Sequence, residues 1–137
     1  MRVLMATALA VQLALVSSVA QVPPAQNTSG PVAFDTLAYP PVAIAGRVEG
    51  SVVVRTHITE EGSVAGAVPI SGPELLRDVV TNNARTWRFR SGQARDVFLT
   101  YFFELDGYCY RTPQPTLMRI VPPYDVVKVT SCHSWAP

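Results

Sequence analysis

The sequence predicts an α+β domain: two short helices packed on a small antiparallel sheet, followed by a disulfide-closed C-terminal β extension. Three observations carry this expectation. Residues 51–58 and 64–70 alternate apolar and polar side chains around a turn containing Gly62, the pattern of a β-hairpin. Residues 75–86 instead place Leu76, Val79, Val80, Ala84 and finally Trp87 at helical intervals. Residues 94–105 alternate again, but are apolar on both faces.

Composition bounds the rest. A chain of 137 residues, 48% hydrophobic and 15% charged, suits one globular domain with a real core. The formal net charge is +1, and removing an N-terminal segment with Arg2 leaves ten basic against ten acidic residues. No whole-protein field therefore argues for nucleic acid or an anionic membrane as a partner.

Met1-Arg2 precedes an uncharged run rich in Leu, Val and Ala, which ends in Ser17-Ser18-Val19-Ala20. A short basic start, an apolar middle and a small-x-small exit predict a signal peptide over residues 1–20, cleaved after Ala20. The alternative is a short inner-membrane anchor facing the periplasm, at the lower end of the ~20 residues a spanning helix needs. Residues 21–38, rich in Pro, Gln, Ser, Thr and Gly, read as a flexible leader. The expected location is thus periplasmic or secreted, with membrane contact only if the segment is uncleaved.

Export makes the cysteines legible. Cys109 and Cys132 are the only two and form no C-x-x-C, so neither a zinc cluster nor a thioredoxin-type site is available. In an oxidising compartment they are expected to pair as a structural disulfide, with two free thiols as the alternative. The bridge would enclose two further strand candidates, residues 116–121 and 125–130, separated by Pro122-Pro123.

Within the domain, Pro41 starts a brief helix that Gly46 stops. On the first hairpin strand Val52, Val54, Thr56 and Ile58 share the inner face. On the second, Val64, Val68 and Ile70 are expected to do so, and Pro69 marks an edge or a ladder end. Ser71-Gly72-Pro73-Glu74 opens the second helix with a small cap residue. Trp87 and Phe89, two residues apart, turn the same way and form a structural core plug between helix and sheet, leaving Arg88 and Arg90 on the other side. In the long strand Val97, Leu99, Tyr101, Phe103 and Leu105 face one way, and Phe98, Thr100, Phe102 and Glu104 the other. The second set needs a cover: the tail, a second subunit or a partner.

The order helix, hairpin, helix, Trp-x-Phe, strand comes with a set of local motifs. They are Tyr39-Pro40, Glu49-Gly50, Gly62, Leu75-Leu76, Trp87-Arg88-Phe89 and Phe103-Glu104-Leu105. Over residues 39–105 the chain resembles the C-terminal domain of the TonB family of energy transducers. The resemblance leaves residues 106–137 as a separate extension closed by Cys109 and Cys132. It implies a protein partner, a segment of a TonB-dependent outer-membrane receptor, taken up as an added strand at an exposed sheet edge. By position that edge is residues 94–105, with Tyr39 and Pro40 as the family's Tyr-Pro motif. The partner-binding set is then Tyr39, Pro40, Arg88, Arg90, Val97, Phe98, Thr100, Phe102 and Glu104.

Two features set the chain apart from an energy transducer. Residues 3–20 hold no ionisable side chain to couple to a motor, and the 18-residue leader reaches only ~60 Å when fully extended. A standalone exported binding module is the expectation, with a closed structural or homodimeric domain as the alternative.

Catalytic chemistry finds no foothold. His57 and His133 lack metal-ligand spacing, so no metal or cofactor is expected, and no nucleophile motif appears. His57 reads as an outward strand residue. Arg85, Arg88, Arg90 and Arg95 around Trp87 and Phe89 read as surface arginines flanking a core pair rather than a nucleic-acid patch.

Overall fold

The computed structural model describes residues 30–110 and 115–134. The expected signal segment and residues 21–29 of the leader lie outside them. Seven elements follow in order: α1 (Pro41–Ala45), β1 (Gly50–Ile58), β2 (Val64–Ser71), α2 (Glu74–Arg85), β3 (Arg95–Cys109), β4 (Leu117–Val121) and β5 (Val126–Ser134). The strands form one sheet in the order β2-β1-β3-β5-β4. All neighbours are antiparallel except β3 and β5, which run parallel, so the expected α+β architecture carries a mixed sheet.

The core lies between the helices and one face of the sheet. β1 supplies Val52, Val54, Thr56 and Ile58, all fully buried, as their alternation requires. Thr56 satisfies its hydroxyl by donating to the Val97 carbonyl at 2.8 Å. α2 adds Leu76, Val80 and Ala84 from its apolar stripe. Its N-cap is Pro73, and no side chain caps the helix, so the expected cap residue Ser71 instead ends β2.

One expectation fails within β2. Val64 opposes Ile58 on the inner side as predicted, but the next pair is His57 with Gly66, leaving Ala65 as an extra residue. A single inserted residue reverses which alternate side chains face the core. Ala67 is therefore buried, whereas Val68 and Ile70 are exposed. A second bulge follows, because Val54 pairs with Pro69 and Val53 with Ser71.

Trp87 and Phe89 behave as a plug, with ring centroids 5.9 Å apart and Trp87 wholly buried. Trp87 also packs against Tyr101 at 6.3 Å and Phe34 at 5.7 Å. Beneath this pair the buried Asn83 carboxamide accepts hydrogen bonds from Trp87 Nε1 (3.2 Å) and the Tyr101 hydroxyl (3.0 Å). Its own Nδ2 donates to the Asp35 carbonyl at 2.8 Å. Gly62 admits the plug: at φ 90° it accepts from the Phe89 amide at 2.8 Å, and a Cβ there would lie 1.9 Å from the Phe89 carbonyl oxygen.

The leader boundary also needs correction. Leu37 is buried in the core, and Ala33 bridges to Arg88 through Arg88 N–H to Ala33 O at 2.8 Å. Part of the stretch read as leader thus belongs to the packed unit, because a single apolar residue there reaches the core without any periodic pattern.

Cys109 and Cys132 form the expected disulfide, with Cα atoms 5.5 Å apart. Two stability outcomes follow. Trp87→Ala should cost ~3–5 kcal/mol through cavity formation, and an unchanged thermal melt would remove Trp87 from its central place. Replacing both cysteines by serine should lower stability by about 3 kcal/mol, read from denaturant midpoints with and without reductant.

Candidate protein-interaction site

The residues expected to bind a partner divide into three groups. Tyr39 and Pro40 serve the fold. Tyr39 is buried, its hydroxyl donates to the Val48 carbonyl at 2.5 Å, and its ring meets Phe103 edge-on at 5.0 Å. The Pro40 carbonyl accepts from the amides of Ala43 and Ile44 and so starts α1. Arg88 is likewise committed. Its main chain bridges both Ala33 and Ser63, and its guanidinium donates to the Ser63 hydroxyl.

Val97 lies half-buried against the core, on the opposite face from the rest of its strand's set. Phe98, Thr100, Phe102 and Glu104 lie on the uncovered face of the sheet, where Phe98 is 54% and Phe102 43% exposed. Arg90 is also exposed. Among the described residues the tail does not supply, on this face, the cover that a two-sided apolar strand calls for. The tail packs beside β3 rather than over it.

That placement decides the fate of the expected edge. Arg95 to Phe103 pair with β1, and on the other side Thr100 to Cys109 pair with β5. Over Thr100 to Phe103 the main chain of β3 has a neighbour on each side, so a partner strand cannot enter there. Over these residues the assignment of 94–105 as an open edge is corrected, whereas residues 95–99 pair with β1 alone. Nor is β5 a loose plug, since Val127 and Val129 are fully buried in the core. Each such side chain contributes about 1.5–3 kcal/mol by burial, which resists peeling the strand away.

Among the described residues the outermost strands of the sheet are β2 and β4. Around them the uncovered face mixes apolar and cationic groups. Arg55 stands between Val68 and Phe98 in register, and Lys128 between Phe102 and Arg119. His57 projects outward as expected, and its Nδ1 lies 2.7 Å from Asp96 Oδ1. Leu117, Arg119 and Lys128 escaped the sequence reading. Their signal was the alternation of the tail strands, whose outer positions only become adjacent once β4 and β5 pair.

The fold and its free edges define a small α+β protein-interaction domain. Residues 35–101 match the family described as the Gram-negative bacterial TonB protein C-terminal. This stretch is a TonB C-terminal family domain, and domains of that family mediate protein–protein interactions in the cell envelope. The match ends within β3, so the second half of that strand, β4 and β5 fall outside it. A comparison with curated proteins gave no match. Among the described residues no helix is long and apolar enough to cross a membrane.

Burial, and secondarily the Glu49 carboxylate, push the Tyr39 hydroxyl from 10.0 up to about 12. Burial also drives Tyr101 upward. The folded chain therefore keeps protons that the unfolded chain releases above pH ~10, so stability must fall as pH rises through this window. Denaturant midpoints measured from pH 8 to pH 12 should be level to about pH 10 and then decline; a flat profile to pH 12 would contradict the burial of both hydroxyls.

Proposed function

We propose that the chain is an exported module of the cell envelope that acts by binding rather than catalysis. Its partner is an extended segment of a TonB-dependent outer-membrane receptor or another envelope protein, taken up by strand addition. The observation that carries this reading is the family match over residues 35–101. Main-chain pairing would give affinity, and side-chain pockets on alternate positions would give selectivity. Residues 1–20 would act as the cleaved signal that delivers the module to the periplasm.

Of the expected binding set, Phe98, Thr100, Phe102, Glu104 and Arg90 remain available as side-chain contacts. Tyr39, Pro40 and Arg88 act through the fold. A second reading, a closed structural or dimerising domain, is favoured by the occupation of β3 by the chain's own β5.

Calorimetric titration with a synthetic peptide from the N-terminal segment of a TonB-dependent receptor, paired with a solution mass measurement, separates the two. A monomer that binds the peptide saturably is expected. A stable dimer indifferent to the peptide would replace the first reading with the second.

A further inference from the structure

β4 pairs with β5 from Leu117 to Val121 without interruption, and this register sets Arg119 directly opposite Lys128. Both side chains lie exposed on the uncovered face. Like charges directly opposite each other in an antiparallel pair are destabilising unless an anion lies between them. Among the described residues no ion pair joins Arg119 or Lys128 to a carboxylate. Leu117, Arg119, Lys128 and Thr130 line a shallow cavity of about 160 Å³ at this point.

The same strand is the better of the two free edges. β2 carries Pro69, which has no amide proton, and its ladder is broken by two bulges. β4 contains neither proline nor glycine. Beyond β5, its main chain bonds among the described residues only to the adjoining turn, where the Tyr124 amide donates to the Val121 carbonyl. Met118 and Ile120 are only half-buried against the core on the inner face. A further strand alongside would cover what they leave exposed.

We propose that the edge of β4 takes up an extended acidic protein segment as a sixth strand, with one of its carboxylates seated between Arg119 and Lys128. This rests on the reading of the domain as a protein-binding module and moves its binding edge from β3 to β4. The chain's own β5 holds the place beside β3, and the sheet grows one strand further out. A protein carboxylate is preferred to a lipid phosphate because the free main-chain edge adjoins the cation pair. Glu104 and Asp96 on the same face would also repel an anionic bilayer.

The test titrates the isotopically labelled full chain with acetylated pentapeptides that alternate threonine and valine around a central residue. With central glutamate, amide shifts should be confined to residues 117–121 and Lys128. Central lysine should bind about tenfold more weakly. N-methylation of alternate peptide amides should abolish binding, because strand addition needs those donors. Arg119→Gln and Lys128→Gln, each with an unchanged thermal melt, should weaken the glutamate peptide about threefold and should not weaken the lysine peptide, so that the two affinities draw together.

Binding that survives N-methylation, equal affinity for both peptides, or no binding at millimolar concentration would overturn the proposal. Arg119 would then be an edge charge that keeps β4 from self-association. Equal saturation by inorganic phosphate would likewise reduce the pair to an anion site. Shifts confined to residues 64–71 would place the binding edge on β2, overturning the β4 assignment while leaving the module reading intact.

Discussion

The Asn83 carboxamide is the interaction on which the architecture turns. One oxygen accepts from Trp87 and Tyr101, and the amide nitrogen reaches the Asp35 carbonyl. Helix, crossover, central strand and N-terminal segment are thereby tied at a single buried point. Each donor it satisfies would otherwise be a desolvated polar group, at a cost of about 1–3 kcal/mol apiece. Trp87 and Tyr101 can be wholly buried because this carboxamide serves the polar atoms of both.

From that point the long strand β3 divides its work. Its first half completes a sheet with β1, and its second half runs beside β5 inside the disulfide loop. The overlap, Thr100 to Phe103, is paired on both sides. A domain of the TonB C-terminal family here carries an additional pair of strands beyond the family match, and those strands contribute Val127 and Val129 to the common core. The extension has thus become structural, and the outermost main chain on that side of the sheet belongs to β4.

Sequence reasoning succeeded where one local signal decided the outcome. The alternation of Val52, Val54, Thr56 and Ile58, the helical spacing of Leu76, Val80 and Ala84, and Trp87 with Phe89 all found their expected surroundings. The tail strands lie where their flanking prolines suggested. It failed where pairing overrode pattern. Ala65 slips the hairpin by one residue, so Val68 points to solvent although its alternation is regular. Leu37 reaches the core from a stretch whose composition resembles a linker. Asn83 counts locally as a poor helix former, and its value is visible only beside Trp87 and Tyr101.

What the sequence determined by itself is the set of elements and the inward faces of most of them, because hydrophobic periodicity and turn residues act over a few neighbours. The resemblance to the TonB C-terminal family was also present there, in short motifs at set intervals. The tertiary structure alone decided which strand lies beside which. A parallel pair between β3 and β5 joins residues about 25 positions apart in the chain, and no local signal records such a contact. That choice closed the edge of β3 from Thr100 onward, brought Arg119 opposite Lys128, and among the described residues left β4 outermost.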